Sequence, residues 1–302
     1  MARHDHLQRV ERMRSSLDGL SVGDAFGEQF FASRQSIWNR ELPPGPWPWT
    51  DDTEMALSVY RILKDQGTID DDLLALSFAE QFDPARGYGP AMVFQLLPAL
   101  KTGADWRVAA RSLFEGSGSF GNGAAMRGAP LGAFFSDDLG LVVENAERSA
   151  IVTHAHAEGV AGAIAVAVAA AIAVRQKEDR TVRGPRMFIQ EVLPFVPESD
   201  VRHGLQTAVE QLGPHASPDR VAELVGNGGG VTAQDTVPFC LWMAGRYLDD
   251  YQEALWQTIS VLGDMDTNCA IVGGIVAAHV GPEGIPEEWR TAREPLPPWP
   301  FA

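Results

Sequence analysis

Cysteine is nearly absent: two residues in 302, Cys240 and Cys269, with no CxxC pair. A disulfide framework is excluded, and a reduced, cytoplasmic setting is expected. Positive charge is also scarce, with Lys+Arg 24 against Asp+Glu 40 and a net charge of −16. That balance speaks against a nucleic-acid-binding surface, which needs clustered Lys and Arg, and against docking on anionic lipid. No apolar run is long. The most apolar, Gly159–Val174, has 16 residues, short of the ~20 that span a bilayer. His154, His156 and Glu158 crowd one end, so a buried central helix is expected and no membrane association. The opening MARHDHLQRVERMRSS is too polar to read as a signal peptide. Alternating β-branched runs between regular turn signals are missing too, which speaks against a sheet fold and leaves an all-α one.

What is present supports a large core, since 45% of residues are hydrophobic and 21% charged. Leu7, Val10, Met13, Leu17 and Leu20 step by three or four residues, one apolar stripe on an N-terminal helix. The spacing predicts further helices over 53–64, 71–81 with Asp70 as N-cap, 90–100, 106–113, 139–154, 159–175, 201–211, 236–248, 251–262 and 267–280. Loops are marked by composition: LPPGPWPW at 42–49, GSGSFGNG at 116–123, GNGGG at 226–230, and an extended Pro-rich tail at 294–302. None is long enough to be a flexible interdomain linker, so residues 1–302 are expected to form a single compact domain.

Two acidic runs carry the chemistry: Thr50-Asp51-Asp52-Thr53 and Asp264-Met265-Asp266-Thr267, each opening onto a helical pattern. Carboxylates and hydroxyls from two such helix starts could build the all-oxygen cage that hard cations such as Mg²⁺ prefer. Each run alone also reads as an ordinary cap, and Asp51 with Glu54 has capping-box spacing. Closely spaced like charges in both runs favour the cage, because they repel unless a cation or proton intervenes. The loop at 116–123 could present backbone amides as an anion nest, though no Gly-Lys-Ser/Thr follows to make it a Walker loop. His154 and His156 form an HxH pair for which a helix-boundary hydrogen bond is favoured over a transition-metal site. Cys240 and Cys269 fall in apolar helical surroundings and read as inert core thiols.

Taken in order, these motifs resemble the ADP-ribosylglycohydrolase family. The resemblance rests on Gly19-Leu20-Ser21-Val22-Gly23-Asp24-Ala25-Phe26-Gly27, Trp49-Thr50-Asp51-Asp52-Thr53 and Arg86-Gly87-Tyr88-Gly89. It continues through Gly118-Ser119-Phe120-Gly121-Asn122-Gly123-Ala124-Ala125-Met126-Arg127, Thr153-His154, Asp235-Thr236-Val237-Pro238 and Gly263-Asp264-Met265-Asp266-Thr267.

The resemblance implies an orthogonal all-α domain with two Mg²⁺ (or Mn²⁺) ions at the base of a cleft. It places Thr50, Asp51, Asp52, Asp264, Asp266 and Thr267 as metal ligands. Ser119, Phe120, Gly121 and Asn122 would hold the pyrophosphate with His154 nearby, and Gly89 would line the distal ribose. Asp51, Asp52, Asp266 and Glu28 are the catalytic candidates, and which of them accepts the water's proton stays open. Where many members carry a glutamate seven residues after the Gly-Asp aspartate, this chain has Phe31, and the nearest acid is Glu28. The implied reaction is hydrolysis of the C1″ glycosidic bond between ADP-ribose and an acceptor, with a protein side chain foremost. A silent ADP-ribose reader and a hydrolase of small ADP-ribose derivatives remain as alternatives.

Overall fold

Glycine spacing decides how the two ends of the chain meet. The computed structural model describes residues 2–302, with side chains from Asp5 onward. Its N-terminal helix, Ala2–Glu28, carries Gly19, Gly23 and Gly27 four residues apart, on one face. A Cβ at these positions would lie 2.1 Å from Ala277 Cβ, 2.1 Å from Cys269 O and 2.3 Å from Met265 O. The helix Met265–Val280 therefore lies backbone against backbone along the first, an approach that only glycine permits. Gly273 answers from the other side, where a Cβ would fall 2.6 Å from Gly19 O.

The apolar run forms the helix Ala157–Glu178. At 22 residues it is long and apolar enough to cross a membrane, but 89% of its most apolar window is buried within the protein. It is the central core helix. The short helix Gly128–Phe134 packs on it where a Cβ at Gly132 would meet Ala167 O at 1.8 Å. Around this centre one apolar core runs from Met13 to Trp289 and takes in both cysteines, each a free thiol at 0% exposure.

An aromatic cluster seats the approach to the first acidic helix. Phe26 stacks on Trp289 at 4.5 Å and meets Trp256 edge-on at 5.0 Å, while Trp47 packs against both Phe26 and Trp289. Trp47 N donates to Ala292 O (2.6 Å) and Glu294 N to Trp47 O (2.8 Å), so the extended tail straps this linker down. Arg86 completes the strap. It forks onto the Glu294 carboxylate (2.8 and 2.9 Å), donates to Trp49 O (2.9 Å) and lies 3.3 Å from the Trp49 ring centroid.

Among the described residues there are 16 α-helices and no strand, only isolated bridges at Trp47–Arg293 and Gly121–Thr232. Asp70 caps the helix Asp71–Gln81, accepting from Asp72 N and Leu73 N as expected. Several boundaries differ. The first acidic helix runs Asp51–Gln66, so its aspartates sit inside the first turn rather than ahead of it. The helix expected over 90–100 opens as a π-turn, Met92–Leu96, and the one at Trp106 leaves helical geometry at Leu113–Glu115. Leu7 is 54% exposed and drops out of the buried stripe. The helices Arg34–Asn39, Gly128–Phe134, Pro185–Val192, Pro218–Val225 and Glu287–Ala292 carry too few periodic residues, or too much Gly and Pro, to announce themselves. Tertiary burial overrides weak local propensity there.

Candidate active site

Both acidic runs end as the N-termini of helices, but their carboxylates do little capping. Thr50 is the N-cap of the Asp51 helix and accepts from Asp52 N. The capping box read from Asp51 and Glu54 does not form: Glu54 instead accepts from Tyr88 Oη (2.7 Å) and Asp83 N (3.0 Å). Asp264 occupies the N-cap of the Met265 helix without a capping bond, and its Oδ2 receives Asn122 Nδ2 at 2.7 Å.

The runs meet although 215 residues separate Asp52 from Thr267, whose Oγ1 stands 3.5 Å from Asp52 Oδ2. Asp51, Asp52, Asp264, Asp266 and Thr267 line one cleft of about 530 Å³, a size that suits a small-molecule ligand. Gly89, Ser119, Phe120, Gly121, Asn122 and His154 line it too. Thr50 and Glu28 are not on the lining. Thr50 lies beneath it, its Oγ1 2.8 Å from Asp24 Oδ1 and 3.0 Å from Asp52 Oδ2. Its single proton serves one of these at a time.

Asp24 is the organising residue that the candidate set omitted. Fully buried on the N-terminal helix, it accepts from the backbone N–H and the hydroxyl of both Thr50 and Thr53. These bonds, that of the Thr50 hydroxyl whenever its proton turns to Asp24, tie the N-terminal helix to the head of the Asp51 helix. Burial pushes its carboxyl up to about 6 against the lowering effect of the bonds. The signal for it was the Gly-Asp pair within the glycine stripe.

Desolvation likewise raises Asp51, Asp52 and Asp266 well above the usual carboxylate range, and neighbouring carboxylates add to the shift in each. Glu28 is half-buried and raised by desolvation, then by Asp24 and Asp264. Phe31, in contrast, is 46% exposed and off the cleft lining. Helix N-termini favour negative charge, yet so many acids in one place still repel.

Among the described residues no group of three or more His, Cys, Asp or Glu is already arranged around one metal position. The donors nevertheless fit a hard cation. Asp52 Oδ1 and Asp266 Oδ1 are buried without a hydrogen-bond partner, and a buried acceptor without a partner is costly unless something satisfies it. Magnesium takes one or two carboxylates and keeps several waters, so it needs no preformed triad.

The opposite wall is the glycine loop. Asn122 Nδ2 also reaches Thr236 Oγ1 (3.1 Å), and Ala233 N donates to Phe120 O (3.0 Å), anchoring this loop to the helix Ala233–Arg246. Two amides expected in an open nest are engaged internally: Gly121 N with Ser119 Oγ (3.2 Å) and Asn122 N with Val231 O (3.4 Å). The facing loop at 226–230 is held by Asp235, whose Oδ2 accepts from Gly230 N, and by Asn268, whose Nδ2 donates to Asn227 O. The two histidines part company. His156 caps the central helix through Glu158 N, while His154 enters the cleft, where burial and then the Arg127 charge lower its imidazole to about 3.

In this all-helical domain an acidic pole and a glycine-loop wall thus face each other across one cleft. The family model for ADP-ribosylglycohydrolase matches residues 5–298, and the chain belongs to that family; it is a hydrolase of ADP-ribose linkages. It is 28% identical to ADP-ribosylhydrolase ARH3 of Mus musculus, over 94% of this chain and 88% of that protein. An uncharacterized protein of Archaeoglobus fulgidus is 30% identical over 92% of this chain and 90% of its own length. A solved ADP-ribosylglycohydrolase-related protein complex superposes with a TM-score of 0.67 at 24% identity, covering 95% of this chain and 93% of the matched one, a likeness of fold.

Proposed function

We propose that this chain hydrolyses the C1″ glycosidic bond joining ADP-ribose to an acceptor, foremost a protein side chain, in a magnesium-dependent reaction. The observation that carries the reading is the convergence of the two acidic runs on one cleft, with unpartnered Asp52 and Asp266 oxygens opposite a glycine loop. Thr50, Asp51, Asp52, Asp264, Asp266 and Thr267 would hold two Mg²⁺ (or Mn²⁺) ions. When bound, such ions supply Lewis acidity toward ribose hydroxyls and lower the pKa of a water.

The protein's own groups do the rest. The glycine loop and His154 form the wall against which the pyrophosphate would rest, and Gly89 leaves open space for the distal ribose, with no atom within 4 Å of a Cβ there. A carboxylate on the floor of the cleft can accept the proton of an attacking water. Asp51, Asp52 and Asp266 are placed for that work on the cleft floor. Glu28, outside the lining, acts through charge on Asp266. The transition state is oxocarbenium-like, and a neighbouring carboxylate stabilises such a cation.

The test is release of ADP-ribose from a panel of ADP-ribosylated arginine, serine and small-molecule substrates, with magnesium and with chelator. Turnover that disappears with chelator and returns with Mg²⁺ is expected; release unaffected by chelation would refute the metal requirement. Binding of ADP-ribose without any turnover would identify a silent reader. Gly121→Leu is expected to weaken ADP-ribose binding about tenfold or more, because a Cβ there already meets Ser119 Oγ at 3.3 Å and His154 Nε2 at 3.4 Å. Titration calorimetry reads this directly, and an unchanged affinity would remove the loop from the binding site.

A further inference from the structure

Arg127 closes the glycine-loop motif and is completely buried, yet among the described residues no carboxylate lies within ion-pair distance of it. Its guanidinium donates to neutral groups alone. Nη1 reaches Gly123 O (2.9 Å), and Nη2 reaches Ser149 O (2.7 Å) and Thr153 Oγ1 (2.9 Å). Nε points to Ser149 Oγ at 3.4 Å, and the Phe78 ring lies beneath the cation at 4.7 Å. A buried charge without a counter-ion is expensive, so this position calls for a second reason.

Thr153 supplies it. Its hydroxyl is buried and its oxygen already receives Arg127, while that oxygen stands 2.8 Å from His154 Nδ1. A buried hydroxyl must donate its proton, and His154 Nδ1 is the acceptor in reach. The imidazole proton is thereby assigned to Nε2. That nitrogen lies against the glycine loop, 3.4 Å from where a Cβ would stand on Gly121 and 2.9 Å from one on Gly123. His154 and both of these glycines line the cleft.

We propose that Arg127 and Thr153 are positioning residues that lock neutral His154 as its Nε2–H tautomer, making it a hydrogen-bond donor to a phosphate group held over Gly121–Gly123. Arg127 adds a fixed positive charge behind that loop which the bound anion shares. The assignment deepens the functional reading above and rests on it for the identity of the ligand. A tautomer locked the other way would present a lone pair to the anion and repel it.

Thr153→Val removes the hydroxyl from between the two side chains while leaving Arg127 its bonds to Gly123 O and Ser149 O, and Thr153→Ser restores it. Long-range ¹H–¹⁵N spectra of the histidine rings read the tautomer. Calorimetry with ADP-ribose and with inorganic pyrophosphate, magnesium present, reads the anion site. Wild type is expected to show Nε2–H; Thr153→Val is expected to mix the tautomers and weaken both ligands about tenfold, the value of one hydrogen bond. Thr153→Ser is expected to recover tautomer and affinity. Nδ1–H in wild type, or a Thr153→Val protein that binds pyrophosphate as wild type does, overturns the proposal. If pyrophosphate follows the pattern while ADP-ribose does not bind, this assignment stands and the functional reading falls. If neither binds, both fall.

Discussion

Asp266→Ala or Asp52→Ala is expected to lower ADP-ribose release by at least about 10³-fold, the loss of ~4 kcal/mol of transition-state stabilisation. The fold is expected to survive. Asp266 Oδ1 and Asp52 Oδ1, one oxygen of each carboxylate, are buried without partners, and deleting a desolvated carboxylate from among like charges removes a cost. In chelator, the thermal midpoint of Asp266→Ala should therefore equal or exceed that of wild type. The sign of the pH effect follows. Raised carboxyl pKa values mean that the folded state holds more protons, so metal-free stability falls as pH rises. For Asp24 the window runs from its ordinary 3.8 to about 6. A variant lacking either carboxylate that still turned over at wild-type rate would remove these residues from the reaction.

The second large effect falls far from any reacting atom. Gly23→Ala is expected to cost about 3 kcal/mol, the upper range for overpacking, and Gly23→Leu to prevent folding. A Cβ there would stand 2.1 Å from Cys269 O, a contact with backbone that no rotamer relieves. Gly213→Ala is the control, since nothing lies within 4 Å of its Cβ. Urea midpoints compare the three. Because Asp24 follows Gly23 directly, a forced separation of the helices would also pull its carboxylate from Thr50 and Thr53, and activity should fall with stability. An unchanged midpoint for Gly23→Ala would mean that the two helices can part at little cost.

Much of this was legible locally. Periodicity marks the N-terminal and Asp71 helices, the alanine-rich run marks the core, and composition marks the glycine loops that line the cleft. The Asp-rich starts point to their own chemistry because closely spaced like charges have no structural excuse. Other elements were silent for identifiable reasons. Gly128–Phe134 is short and carries Gly and Pro, and becomes helical because Gly132 can touch the backbone at Ala167. Asp24, near the end of the N-terminal helix, is marked only by its Gly-Asp pair, and nothing local shows that it accepts bonds from residues 26 and 29 positions away. Arg127 shows its role only once Thr153 stands between it and His154.

The amino-acid sequence by itself determined the helical class, the acidic starts of two helices, the glycine loop between them and the family to which they belong. These are properties of neighbours along the chain, and periodicity, propensity and motif order all act at that range. The tertiary structure alone decided that Thr267 stands by Asp52, that Glu54 turns to Tyr88 instead of capping its helix, and that neither Glu28 nor Phe31 joins the cleft lining. A helical period names a face but not the face it meets. That partner is chosen by which backbones can approach, and here three glycines four residues apart make the choice.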